Sequence, residues 1–237
     1  MHAAPSPLSP FRSFGIYLAF AVLLYLQTHV TIPWLSKSSG IEPIFFWFVV
    51  GGIGVFLPII FIGWYMLQHE ASHSASVWTD RLRFRRLNGG DWLWCAGGIV
   101  TAGIGSAIVM QLVTLAGGNM NTQPPFMHLD PLGPGRYWLL AVWLPYWLLN
   151  IMGEEFLWRG VLLPRAEAAS GRRAWLHQGF GWTVFHVAFG WQLLLTMLPL
   201  LFIIPYVAQR RSNSWTGVVI HAVINGPAFI LIALGLL

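Results

Sequence analysis

The chain contains 237 residues, of which 56% are hydrophobic and only 9% are charged, and it carries a net charge of +5. Because about a quarter of the residues in a soluble globular domain are charged, this composition excludes an ordinary water-soluble protein and predicts an integral membrane protein. The positive charge does not predict a nucleic-acid partner, since a membrane-embedded chain has no surface on which to display basic and aromatic grooves.

Several apolar segments approach the length of about 20 residues that a membrane-spanning helix needs. They predict an all-α fold, a polytopic transmembrane helical bundle of about seven to eight spans, in a single integral membrane domain that covers residues 1–237. The first segment starts too late and runs too long for a cleaved signal peptide, so we expect it to be retained. The segments begin near Phe14, Pro43, Asp91, Tyr137, Trp175, Gln192 and Trp215.

The basic residues predict how the chain is oriented in the membrane. If the N-terminus is cytoplasmic, only Lys37 and Arg136 fall on the outer side, and every other Lys or Arg falls on the inner side. The positive-inside rule favours this orientation. We therefore expect residues 117–135 to form an outer loop and residues 72–90 to form a charged inner loop.

An acidic pair interrupts the fourth predicted span, where Glu154 and Glu155 are followed by Arg159. Charged groups inside a membrane are costly and generally functional. Adjacent helical residues point about 100° apart, whereas residues four apart share a face. The spacing therefore predicts that Glu155 pairs with Arg159, while Glu154 projects into a cavity with Asn150 one turn before it. A desolvated carboxylate of this kind can serve as a general base.

Three helices place polar residues at a similar depth in the membrane. Glu154 is 11 residues from Arg165, His186 is 13 from Arg173, and His221 is 10 from Arg211. At about 1.5 Å per residue, all three lie roughly 15 to 20 Å from their inner arginines. Asn225 follows His221 by one turn on the same helix face. A buried Glu, two His and an Asn can activate water and stabilise an oxyanion, and they indicate amide hydrolysis.

These residues resemble the motifs of the CPBP intramembrane proteases, a family also called ABI that includes the type II CAAX prenyl endopeptidases. Glu154, Glu155 and Arg159 fit EExxxR, His221 and Asn225 fit HxxxN, and His186 is the histidine of FxxxH, in which Trp182 replaces the Phe. The resemblance covers residues 137–237, which we expect to form the catalytic core.

The resemblance implies a catalytic set of Glu154, His186, His221 and Asn225, with Glu155 and Arg159 in support. Glu154 would activate water with help from His186, while His221 and Asn225 would bind the oxyanion or a metal. Two cofactor alternatives remain open: Zn²⁺ held by Glu154, His186 and His221, or a metal-free mechanism that depends on glutamate. The expected substrate is a membrane-associated protein or peptide, either prenylated or a leader peptide, and the active site faces the cytoplasmic side.

A second protease motif lies at the end of the second predicted span, where His69, Glu70 and His73 form HExxH, a zinc-protease pattern. With Asp130 as third ligand, it would indicate a zinc enzyme similar to site-2 protease. The predicted topology disfavours this reading, because Asp130 would lie across a membrane of about 30 Å.

A non-enzymatic alternative is a transporter in which Glu154, His186 and His221 relay protons or ions. Against it, the chain shows no duplicated half of the kind found in many transporters.

Overall fold

The computed structural model describes residues 6–69 and 75–236, which are built from helices, turns and irregular segments without any strand. This confirms the predicted all-α fold. The α-helices, in chain order, are α1 (Pro10–Leu26), α2 (Ile32–Ser39), α3 (Pro43–Phe46), α4 (Leu57–Gln68), α5 (Ala75–Leu82), α6 (Gly89–Leu115), α7 (Leu139–Glu154), α8 (Leu163–Ser170), α9 (Ala174–Phe185), α10 (Trp191–Arg211) and α11 (Ser214–Ala233).

Short π-helical segments join several of these helices into uninterrupted helical runs. They cover Gln27–Thr31 between α1 and α2, Trp47–Phe56 between α3 and α4, and Glu155–Leu162 between α7 and α8. Short 3₁₀ segments, Gly171–Arg173 and His186–Phe189, flank α9. Because π-helical turns are rare and often mark functional sites, the segment that begins at Glu155 draws attention to the acidic pair.

Five helices in the described part of the chain are long and apolar enough to cross a membrane. The other two predicted spans also form helices, α7 with its π-helical continuation and α9. The first of these carries the acidic pair, and α9 has only 12 residues, about 18 Å at helical rise. The five candidate spans are Pro10–Ser39, Pro43–Gln68, Gly89–Leu115, Trp191–Arg211 and Ser214–Ala233.

The bundle has an arginine-rich end, where α6, α9 and α11 begin and α10 finishes. At this end Arg211 Nε donates to Asp91 Oδ1 at 2.7 Å, which joins α10 to α6. The backbone N–H of Leu8, just before α1, donates to the carbonyl of Arg165 at 3.1 Å. The clustering agrees with the predicted division of basic residues between two sides.

The opposite end holds the segment between α6 and α7, which was predicted as a loop. Its Arg136 pairs with Glu42 at the start of α3, with Nε to Oε1 at 3.3 Å. Leu132 N–H donates to the carbonyl of Ala233 at 2.8 Å, which fixes this loop to the end of α11.

The second predicted loop, residues 72–90, is only partly irregular. Helix α5 occupies Ala75–Leu82, and α6 already begins at Gly89, so the prediction was wrong for these residues. Asn88 caps α6 because its Oδ1 accepts from Asp91 N–H at 2.9 Å and Asp91 Oδ2 accepts from Asn88 N–H at 3.0 Å. This reciprocal capping satisfies two backbone donors that a helix start otherwise leaves unpaired.

Candidate active site

The acidic pair lies in the centre of the bundle, at the junction between α7 and the π-helical segment Glu155–Leu162. Both carboxylates are buried, with 1% exposure for Glu154 and 0% for Glu155. Burial of two adjacent carboxylates is costly unless each finds strong partners. The two side chains find different ones, as the helical spacing predicts.

Glu154 is held by neutral hydrogen-bond donors. Its Oε1 accepts from Asn150 Nδ2 at 2.8 Å, and its Oε2 accepts from Trp158 Nε1 at 3.2 Å. The indole Nε1 of Trp182 donates to the same Oε2. The carboxylate is therefore fixed in position, and no cation pairs with it among the described residues.

Glu155 instead belongs to a charged network. Its Oε2 lies 3.3 Å from Arg159 Nε, as predicted, and its Oε1 lies 3.0 Å from His221 Nδ1. Gly217 on α11 makes the approach possible, because a Cβ atom there would overlap Glu155 Oε2. Sequence reasoning missed the contact between Glu155 and His221, which depends on how α11 packs against the π-helical segment.

Arg159 is buried with 1% exposure, and none of its nitrogen atoms makes a hydrogen bond with good geometry to another described residue. Two interactions compensate its charge. One is the ion pair with Glu155, and the other is the stacking of its Cζ 3.7 Å from the ring centroid of Trp182. Such cation–π contacts contribute about 2 kcal/mol when they are desolvated.

His186 follows α9 directly and is 5% exposed. Its Nδ1 lies 2.8 Å from the carbonyl oxygen of Trp182. Because a carbonyl only accepts, Nδ1 carries the proton in this contact and Nε2 is the nitrogen left to act on a substrate or a water molecule.

Trp182 links the residues that the sequence singled out. Its indole donates to Glu154, its face carries Arg159, and its ring centroid lies 5.3 Å from each of the rings of His186 and His221. The sequence identified Trp182 only as the residue that replaces the Phe of FxxxH. The replacement of Phe by Trp was the available signal, because Trp adds a donor that is usually paired when buried.

Asn225 makes no hydrogen bond or ion pair with the buried group, although it lies one turn beyond His221 on α11. His221 is buried, whereas Asn225 is exposed. The two residues nevertheless lie on one face of α11, because they are four positions apart.

The donor set offers a poor fit to zinc. The oxygens of Glu154 already accept three hydrogen bonds, which a metal ion would have to displace in part. The two histidines are not the obstacle, because Trp182 and Glu155 hold their Nδ1 atoms and leave both Nε2 atoms free. Within residues 6–69 and 75–236, no group of three His, Cys, Asp or Glu side chains is arranged to hold a metal ion.

The HExxH motif falls partly outside the described residues, which include His69 but neither Glu70 nor His73. His69 follows the last residue of α4, while Asp130 lines a cavity with Glu42 just before the start of α3. The continuous helix between them, Pro43–Gln68, has 26 residues, or about 39 Å along its axis. Asp130 therefore cannot be a third ligand beside His69.

Comparison with known proteins gives one match. Residues 136–226 match the family model described as type II CAAX prenyl endopeptidase Rce1-like. This range contains the acidic pair, Arg159, both histidines and Asn225. No curated protein and no solved structure matches the chain.

Proposed function

We propose that this chain, which belongs to the CPBP family of CAAX-type intramembrane proteases, hydrolyses a peptide bond with Glu154 as the residue that activates water. One observation carries the assignment. Glu154 is buried and held by three neutral donors, whereas Glu155 is committed to Arg159 and His221. Of the two carboxylates, only Glu154 is without a cationic partner in the described structure.

In the proposed reaction, Glu154 takes a proton from water while the water oxygen bonds to the carbonyl carbon of the substrate. His186 orients that water through Nε2. The carbonyl becomes a tetrahedral oxyanion, and its C–N bond then breaks as Glu154 passes the proton to the leaving amine. General-base catalysis of this kind contributes about 10²- to 10⁴-fold to the rate.

His221 and Asn225 are proposed as donors to the oxyanion. When both nitrogens of His221 are protonated, Nδ1 donates to Glu155 and Nε2–H is available for the oxyanion. The exposed amide of Asn225 lies one turn away on the same helix face. Loss of one such donor typically costs about 10²- to 10³-fold in kcat.

The metal-free alternative is the one we propose. It needs no change in the hydrogen bonds of Glu154, whereas zinc binding by Glu154, His186 and His221 would require their rearrangement. The substrate is proposed to be a membrane-associated peptide, either prenylated or a leader, that reaches the site from the cytoplasmic side, with the N-terminus of the protease also cytoplasmic.

The proposal is tested by measuring cleavage of a peptide library by the full chain in liposomes. Glu154→Gln and His221→Ala should abolish cleavage while both proteins remain folded, and Glu70→Gln should remain active. Activity lost in Glu70→Gln but kept in Glu154→Gln would move the active site to HExxH. If the wild-type protein conducted protons or solutes and cleaved no peptide, the transporter hypothesis would be supported and the protease hypothesis rejected.

A further inference from the structure

A cavity at the arginine-rich end lies outside the candidate active site. It has a volume of about 330 Å³ and lies between α8, α9 and α10. Its walls combine two arginines with two aromatic side chains. The lining residues are Glu167, Arg172, Trp175, Tyr206, Gln209 and Arg210.

The cavity has an excess of positive charge. Both oxygens of Glu167 accept from Arg83, at 2.9 and 2.8 Å, so this carboxylate is neutralised from outside the cavity. Arg172 and Arg210 are exposed and form no hydrogen bond or ion pair with the rest of the described chain. Two guanidinium groups are therefore available to an anion.

The polar side of the cavity is rigid. Gln209 Oε1 accepts from Trp175 N–H at 2.9 Å, and Gln209 Nε2 donates to the carbonyl of Gly171 at 3.0 Å. These bonds tie the end of α10 to the start of α9. The two arginines thus project from a fixed junction between helices.

An aromatic stripe leads from the cavity toward the middle of the membrane. Trp175 packs edge-on against Tyr206 with centroids 5.2 Å apart, and Phe202 lies next, 6.4 Å from Trp175. Phe180 packs on Phe202 at 5.1 Å and is 59% exposed. Because α10 is a candidate membrane span, a lipid acyl chain could lie against the exposed end of this stripe at Phe180.

We propose that the cavity binds the phosphate headgroup of an anionic phospholipid, with an acyl chain along Phe202 and Phe180. Guanidinium groups match phosphate geometry with paired hydrogen bonds, and basic pockets between spanning helices hold anionic headgroups. Trp and Tyr are enriched at the level of the headgroups. A free phosphate ion would use the two arginines but would gain nothing from the apolar stripe.

The test measures lipid binding to delipidated full-length protein by native mass spectrometry, with phosphatidylglycerol and phosphatidylcholine as probes. The double variant Arg172→Gln/Arg210→Gln should bind phosphatidylglycerol about thirtyfold more weakly, at about fivefold for each basic residue. Its binding of phosphatidylcholine should change less than twofold on the same scale. The readout is independent of proteolysis and of the proposed function.

A matched control separates a site from general surface charge. Arg86→Gln/Arg173→Gln removes two exposed arginines from the same end but none from the cavity, and it should retain wild-type binding. Equal losses in both double variants would overturn the proposal. Phe180→Gln should weaken lipid binding without affecting inorganic phosphate, and displacement of the lipid by millimolar phosphate would instead assign a site for the free ion.

Discussion

Replacement of Glu155 by Gln tests whether the acidic pair divides into a catalytic and a structural member. The change is nearly isosteric, and Oε1 of the new amide can still accept from His221 Nδ1. Its Nε2 then faces Arg159, where the carboxylate had been 3.3 Å away. The buried guanidinium would keep only its contact with the ring of Trp182.

The expected loss of stability follows from this geometry. At 3.3 Å and an effective dielectric constant of about 20, two unit charges attract by about 5 kcal/mol. Breaking a buried ion pair by removing one partner typically costs about 3 to 5 kcal/mol. We therefore expect Glu155→Gln to lower the free energy of unfolding by this amount, and Glu154→Gln to lower it by about 1 to 3 kcal/mol, since only neutral donors lose their partner.

Equilibrium unfolding in mixed micelles, followed by circular dichroism, measures both values. The double variant Glu155→Gln/Arg159→Met removes the unpaired charge and should recover most of the loss. Cleavage per folded molecule should persist in Glu155→Gln and vanish in Glu154→Gln. The reasoning would be refuted by a Glu155→Gln protein within about 1 kcal/mol of wild type, because the ion pair would then not stabilise the fold.

Three further predictions concern the same site. Gly217→Ala should displace Glu155 and reduce both stability and cleavage, whereas Gly97→Ala, where a Cβ meets open space, should do neither in the same assays. Trp182→Phe should lower the free energy of unfolding by about 1.5 to 3 kcal/mol, which is the contribution of a hydrogen bond to a charged group. Trp182→Ala should lower it further. An unchanged free energy of unfolding in Trp182→Phe would show that the indole does not stabilise Glu154. Dialysis against a strong chelator should leave cleavage intact. If dialysis abolished cleavage and added Zn²⁺ restored it, the metal alternative would be supported.

The sequence was sufficient for the features that depend on local spacing. The i to i+4 interval placed Glu155 beside Arg159 and Asn150 beside Glu154, and both contacts are present. Composition and the length of the apolar segments likewise predicted an all-helical membrane bundle. These inferences succeed because helix geometry fixes which residues meet within one segment.

Contacts between segments could not be predicted in the same way. The sequence grouped Glu154, His186 and His221 by depth, yet depth does not specify rotation about the helix axis. In the structure His221 faces Glu155, and the indole of Trp182 fills the space that was expected to be a cavity beside Glu154.

The cost of burying charge explains the contacts that the sequence did not predict. Arg159 cannot remain in an apolar bundle without an anion, and Glu155 is the carboxylate within reach on its own helix. Gly217 on α11 leaves room for the oxygen that faces Arg159, and the second oxygen of Glu155 accepts from His221 Nδ1 on the same helix. Glu154 must then be stabilised by neutral donors, and three of them surround it. A carboxylate that is fixed in place without a paired cation is suited to take a proton from water, so the position of the arginine supports the proposed division of roles between the two glutamates.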